Sequence, residues 1–220
     1  MSVPTMFTIP RNMLFSLGLP SAENTFYQLS PEELTRQCLE RNEGELRNTG
    51  ALVINTGKVA DRSSKELFIV KDKITANTID WNDINHPLEK KYFDSLYQKM
   101  IDHLGKNEIW IRDSYYDYAD LKDRLSIRII NEDPTGNLFA FNMFLSPSKK
   151  ELENFNPDWY IIQVTTFFAN PKTNGTRDKN FTIVNFSKKV ILIGGSAFTG
   201  EIKKDVFSIL NLILPHDKIG

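Results

Sequence analysis

Two adjacent lysines, Lys203 and Lys204, close the run VILIGGSAFTGEIKK within residues 190–204. Val190–Ile193 predicts the end of a buried strand, and Gly194 and Gly195 break it. A helix is expected over Gly200–Leu214, with both lysines in its first turn. The positive end of the helix dipole disfavours cations by about 0.3–1 kcal/mol. A strand, a Gly-rich turn and a helix start also form a place where anions bind. Lysines held in that position point to an anion or a metal-bound ligand nearby.

Arg62 is the second candidate. It lies in the polar stretch Thr56–Glu66, between the β-branched run Gly50–Asn55 and a second short strand, Leu67–Lys71. A guanidinium on such a loop can clamp a carboxylate with two parallel hydrogen bonds, although the composition alone favours a solvated surface loop. Arg112–Tyr118, with Asp113 and Asp117, is expected as a surface turn closing a strand, and Thr173–Arg177 as a plain turn that could contact a phosphate. His86, His103 and His216 share no metal-ligand spacing. His103 fits the end of a helix simply through the dipole. Cys38, the single cysteine, excludes an internal disulfide and fits a helix's buried face. No G-x-S-x-G, G-x-x-x-x-G-K-[ST] or G-x-G-x-x-G occurs, so the chain carries no nucleotide-binding loop.

These residues need elements to hold them. Ser30-Pro31-x-Glu33 is a capped helix start, with the helix expected to reach Asn42 and stop at Gly44. A second helix is expected over Pro87–Leu104, stopped by Gly105, and a short one after Ser148. Strands are expected over Glu108–Arg112, Leu125–Ile130, Leu138–Leu145, Trp159–Thr166, Phe181–Phe186 and Val190–Ile193, with a loop at Pro171–Lys179. Phe139, Phe141 and Phe144 are packing residues in the third of these strands. Strands that outnumber helices and often follow one another predict a mixed α/β (α+β) fold. A single domain with a central mixed sheet flanked by helices is expected, with residues 1–12 expected as a flexible arm. With 40% apolar residues and a net charge of −1, the chain is soluble-type and offers no field for nucleic acid or membrane. No apolar run reaches the roughly 18 residues of a membrane span. A cytoplasmic location is the default for a chain with one cysteine.

One set of segments occurs in order: TGALVINTG at 49–57, Arg62-Ser63-x-Lys65, Phe68–Val70, Asn142–Phe144, ELENF at 151–155, Gly175–Arg177, Ile193–Gly195 and GEIKK at 200–204. Together they resemble the N-terminal domain of ATP-type phosphoenolpyruvate carboxykinase. The resemblance runs in order from about Leu17 to the C-terminus. It implies an enzyme that decarboxylates oxaloacetate and phosphorylates the enolate from ATP, giving phosphoenolpyruvate, CO2 and ADP, with Mn2+ and Mg2+. By the same resemblance Arg62 holds oxaloacetate and CO2, Lys203 contacts the substrate or the transferring phosphoryl group, and Lys204 ligates manganese as a neutral amine.

Departures from the family pattern accompany it. Phe198 stands at the position of a family tyrosine, Ala60-Asp61 at a Thr-Gly pair, Ser146 at an arginine and Thr135-Gly136 at a tryptophan step. The chain stops before the family's manganese-binding histidine, phosphate loop and metal-binding aspartate, and His216 is not that histidine. The C-terminal nucleotide-binding domain is therefore expected to be absent, and to be a missing partner. This chain alone is expected to bind no metal tightly and to be inactive. The alternative is a degenerate, non-catalytic paralogue acting as a binding or structural protein.

Overall fold

The computed structural model describes residues 13, 17–19, 24–54, 67–116 and 124–213. Along the chain run β1 (Thr25–Tyr27), α1 (Pro31–Glu40), β2 (Gly44–Leu46), β3 (Leu52–Ile54), β4 (Leu67–Val70), β5 (Asn85–Leu88), α2 (Lys90–Leu104), β6 (Ile109–Tyr116) and β7 (Leu125–Asn131). They are followed by α3 (Pro134–Met143), α4 (Lys149–Leu152), β8 (Trp159–Val164), α5 (Pro171–Asn174), β9 (Phe181–Asn185), β10 (Val190–Gly194) and α6 (Gly200–Ile213). Eight of the strands make one mixed sheet in the order β1-β6-β7-β8-β10-β9-β4-β5, and β2 and β3 make a separate antiparallel ribbon. At the centre, β7, β8 and β10 run parallel.

Burial on both faces explains the apolar runs. Successive side chains of a strand point to opposite faces, so the runs divide between two cores. Ile130, Ile162 and Leu192 join Phe93, Leu96 and Met100 of α2 on one face. Ile129, Ile161, Ile191 and Ile193 join Ala140 and Phe144, and Ile202, Val206 and Ile209 of α6, on the other. Such continuous β-branched runs are what a parallel centre covered on both sides requires.

The caps act as their sequences predict. Ser30 Oγ accepts the Glu33 amide at 3.2 Å, and Ser148 and Glu151 form a reciprocal capping box. At the end of α1, however, Asn42 takes the left-handed conformation (φ 57°) and Gly44 already belongs to β2.

Three expectations are corrected. Residues 138–145 are not a strand: α3 occupies Pro134–Met143, because Asp133 caps it through the Gly136 amide at 2.7 Å and Pro134 fits its first position. Its phenylalanines alternate without a sheet because α3 is wedged against α1, the sheet and α6. Phe139 and Phe144 enter one core, while the Phe141 ring lies 5.0 Å from the Arg112 guanidinium. Second, α2 starts at Lys90; Pro87 belongs to β5, a sheet edge where a missing N–H is tolerated. Third, Arg112–Tyr116 is no surface turn but part of β6, with Asp113 fully buried. Arg128 on the facing strand grips both Asp113 oxygens at 2.6 and 2.8 Å, and Tyr27 donates to Asp113 at 2.7 Å.

Candidate functional site

A cavity of about 670 Å3 opens at the carboxyl ends of β7 and β8 and beside the turn that follows β10. Ligands of open α/β sheets bind at this edge. Its floor comes from Glu132 and Asp133 just past β7, Gln163 near the end of β8, and Thr165 and Thr166 beyond it. His103, in the last turn of α2, and Arg41, capping α1, supply one wall.

Glu132 organises the floor. His103 Nε2 and Thr166 Oγ1 each lie 2.6 Å from its Oε1, and the Thr166 amide donates to its Oε2 at 2.9 Å. Burial works to raise the Glu132 carboxyl, but the Thr166 hydroxyl, His103 and the Thr166 amide together hold it below the usual range. The other acids are also engaged. Arg41 pairs with Glu43 at 2.6 Å and with Glu108 at 2.5 Å, and Thr135 donates to Glu43 at 2.9 Å. Asp133 caps α3; burial, reinforced by Glu43 and Glu132, pushes its carboxyl up to about 6 against the pull of the Gly136 amide.

A chain of buried amides ties this floor to α3 and to the turn after β10. Asn137 donates to Asn131 at 3.3 Å, Asn131 to Gln163 at 3.1 Å, and Gln163 to the Ser196 carbonyl at 3.3 Å. Gly136 packs so closely that a Cβ there would lie 2.6 Å from Asn131 Nδ2 and 2.9 Å from Gln163 Oε1.

The turn itself depends on its glycines. Gly195 has φ 70°, and a Cβ on Gly194 would lie 2.3 Å from the Phe181 ring. Ser196 Oγ then accepts the Phe198 amide at 3.3 Å as the chain enters α6. Lys203 and Lys204 are both exposed, and neither is among the described residues lining the cavity. Ala197 and Thr199, just before α6, do line it. The dipole cost of the lysines is offset within the helix: Lys204 Nζ donates to Glu201 Oε2 at 3.1 Å. Glu201 and Asp205 are fully buried beneath that contact. Among the described residues, Glu201 Oε1 and both Asp205 oxygens lack a hydrogen bond of good geometry. Burial, with Glu201 nearby, raises the Asp205 carboxyl well above its ordinary range.

Arg62, its loop, residues 1–12 and His216 lie outside the described residues. Ile54, the last described residue before that loop, lines the cavity. Thr173–Arg177 forms α5 and its exit, where Gly175 has φ 70° and Arg177 reaches His86 Nδ1 at 3.2 Å. Cys38 is buried, 3.5 Å from Thr135 Oγ1. The grouping of His103, Glu132 and Thr166 escaped sequence inspection, since 29 and 34 residues separate its members from Glu132. Among the described residues no three His, Cys, Asp or Glu side chains are grouped to hold a metal, and no helix is long and apolar enough to cross a membrane.

A three-layer mixed α/β fold with a polar cavity at its carboxyl edge is the setting in which known proteins were compared. The profile of phosphoenolpyruvate carboxykinase matches residues 23–220, and the chain belongs to that family, in its ATP-dependent branch. It is 52% identical over 189 residues to the phosphoenolpyruvate carboxykinase (ATP) of Christiangramia forsetii, covering 86% of this chain and 35% of that protein. Against the enzyme of the same name from Flavobacterium johnsoniae it is 44% identical over 202 residues, covering 92% and 38%. With that of Geobacillus kaustophilus the figures are 41% over 193 residues, 88% and 37%. The chain thus spans little more than a third of the length of these curated relatives.

Proposed function

We propose that this chain is the oxaloacetate-binding, N-terminal part of an ATP-dependent phosphoenolpyruvate carboxykinase, acting in the cytoplasm. Arg62 and Lys203 bind the substrate's carboxylates, and Lys204 is a manganese ligand. Support comes from one juxtaposition: the cavity is bordered on one side by Ile54, which leads into the Arg62 loop, and on another by Ala197 and Thr199, which lead into the helix of the two lysines. The whole reaction needs a nucleotide site, and phosphoryl transfer depends mainly on positioned metal and phosphates. The chain alone is therefore inactive.

The residues present fit a metal in part. Lys204 offers a nitrogen, and Glu201 Oε1, without a partner among the described residues, offers a carboxylate oxygen next to it, a donor set that suits Mn2+. When bound, manganese supplies Lewis-acid polarisation of a substrate oxygen. Lys204 must first give up a proton and its bond to Glu201, because only a neutral amine ligates. Lys203, with no ion pair among the described residues, remains free to neutralise an anionic substrate.

A non-catalytic relative is the second possibility. Phe198 favours it: where the family pattern has a tyrosine, this ring packs within 2.7 Å of a Cβ built on Gly200 and brings no hydroxyl. Calorimetric titration with oxalate, an oxaloacetate analogue, decides. Binding that Arg62→Ala weakens by about tenfold or more supports the carboxykinase assignment; equal binding by both proteins, or none by either, rejects it.

A further inference from the structure

The cavity holds a second recognition device that neither Arg62 nor Lys203 is needed to explain. His103 Nε2 lies 2.6 Å from a Glu132 oxygen and 3.2 Å from Thr166 Oγ1. An ionised carboxylate only accepts, so Nε2 carries the hydrogen, and in the neutral ring Nδ1 is left as an acceptor. The contact with Glu132 fixes the ring's orientation, as does the Phe167 ring edge-on with its centroid 5.9 Å away. No hydrogen bond to Nδ1 exists among the described residues.

Three residues on, Lys106 also lines the cavity, exposed and without an ion pair among the described residues. The turn that carries it is folded back on His103, whose carbonyl accepts the Lys106 amide at 3.1 Å and the Asn107 side chain at 2.8 Å. The acids of the cavity are already taken up: Glu43 and Glu108 by Arg41, Glu132 by His103 and Thr166, and Asp133 by the α3 cap. Among the described residues lining the cavity, the cation left without an ion pair is Lys106, and His103 adds an oriented lone pair at a neighbouring position of the same helix end.

We infer that the cavity binds a small hydroxycarboxylate, its carboxylate on Lys106 and its hydroxyl donating to His103 Nδ1. A carboxylate without the hydroxyl leaves Nδ1 unanswered and binds more weakly. Glu132 and Thr166 are positioning residues, since they act only through the ring.

The 220-residue chain can be titrated with L-malate and with succinate, which lacks the hydroxyl, while the His103 ring nitrogens are followed by long-range 15N NMR. His103→Gln keeps a donor for Glu132 and removes Nδ1, so an unchanged melting temperature certifies its fold. Malate is expected to move the Nδ1 resonance and to bind about three- to tenfold more tightly than succinate, the worth of one net hydrogen bond. That preference should disappear in His103→Gln and persist in Arg62→Ala. Equal affinity for the two acids, the same preference in His103→Gln, or no malate binding overturns the inference. None of these outcomes bears on oxalate binding through Arg62, so the two proposals fail separately.

Discussion

Lys204 and Glu201 meet at 3.1 Å on α6, an exposed ammonium above a fully buried carboxylate. The acid is in the helix's first turn, where the dipole favours it. It thereby stabilises a lysine in a position that would otherwise be unfavourable. Burial adds a cost of its own, for Asp205 lies one turn on and, among the described residues, three of the four carboxyl oxygens lack a hydrogen bond of good geometry.

Glu201→Gln should therefore stabilise the chain. The amide keeps an acceptor for Lys204, which solvent can serve in any case, and one of two buried acids disappears. A gain of about 1 kcal/mol in urea unfolding at pH 7.5 is expected, since isolated buried charges cost more than their partial pairing returns. A loss of comparable size would show that Glu201 is satisfied by a donor outside α6.

Asp133 gives the chain a pH dependence of definite sign. Its folded carboxyl is raised to about 6 from an ordinary 3.8. The protonated form is thus preferred on folding, and the stability it contributes is complete below pH 4 and lost as pH rises through 6. Asp133→Asn keeps the cap, because Asn is an equally good N-cap residue, and does not titrate. It should match the parent at low pH and exceed it above pH 6.5 by up to about 3 kcal/mol. Parallel stability curves for the two proteins across pH 4–7 would refute this.

Gly136→Ala tests the close approach of α3 to the cavity floor. Alanine gains about 1 kcal/mol of helix propensity, but its Cβ would sit 2.6 Å from Asn131 Nδ2 and 2.9 Å from Gln163 Oε1, both part of the buried amide chain. Overpacking of this kind costs about 1–3 kcal/mol, so net destabilisation is expected in thermal melts. Stabilisation would mean that the amides move aside freely.

Arg128→Met removes the partner of a fully buried aspartate. Asp113 keeps the Tyr27 hydroxyl at 2.7 Å but loses a two-pronged cation. Breaking such a pair from one side costs about 3–5 kcal/mol, readable as a large drop in urea midpoint. A change under about 1 kcal/mol would place Asp113 in contact with water.

The sheet's centre was legible in the sequence because its runs had no other use. Ile127–Ile130, Tyr160–Val164 and Val190–Ile193 are too apolar for anything but a covered strand, and Ser30 and Ser148 announce their helices. Where local signals compete, the fold decides between them. Phe139 and Phe141 alternate as in a strand, but the Asp133-Pro134 cap outweighs them. Pro87 looked like a helix start and is an edge strand. Arg112 and Asp113 looked solvated because their partners, Asn137 and Arg128, are far along the chain and only the fold brings them close. The same holds for His103 and Glu132, whose pairing no spacing rule anticipates.

The most direct test of the carboxykinase assignment is a double-mutant cycle on oxalate affinity with Arg62→Ala and Lys203→Ala. If both side chains bind one substrate, each single change weakens oxalate by about tenfold or more, the scale of a lost charge-assisted hydrogen bond. The double variant then loses less than the sum, because an oxalate freed from one side chain is no longer held in place for the other, which couples the two contacts. Oxalate affinity unchanged in either single variant would contradict the assignment.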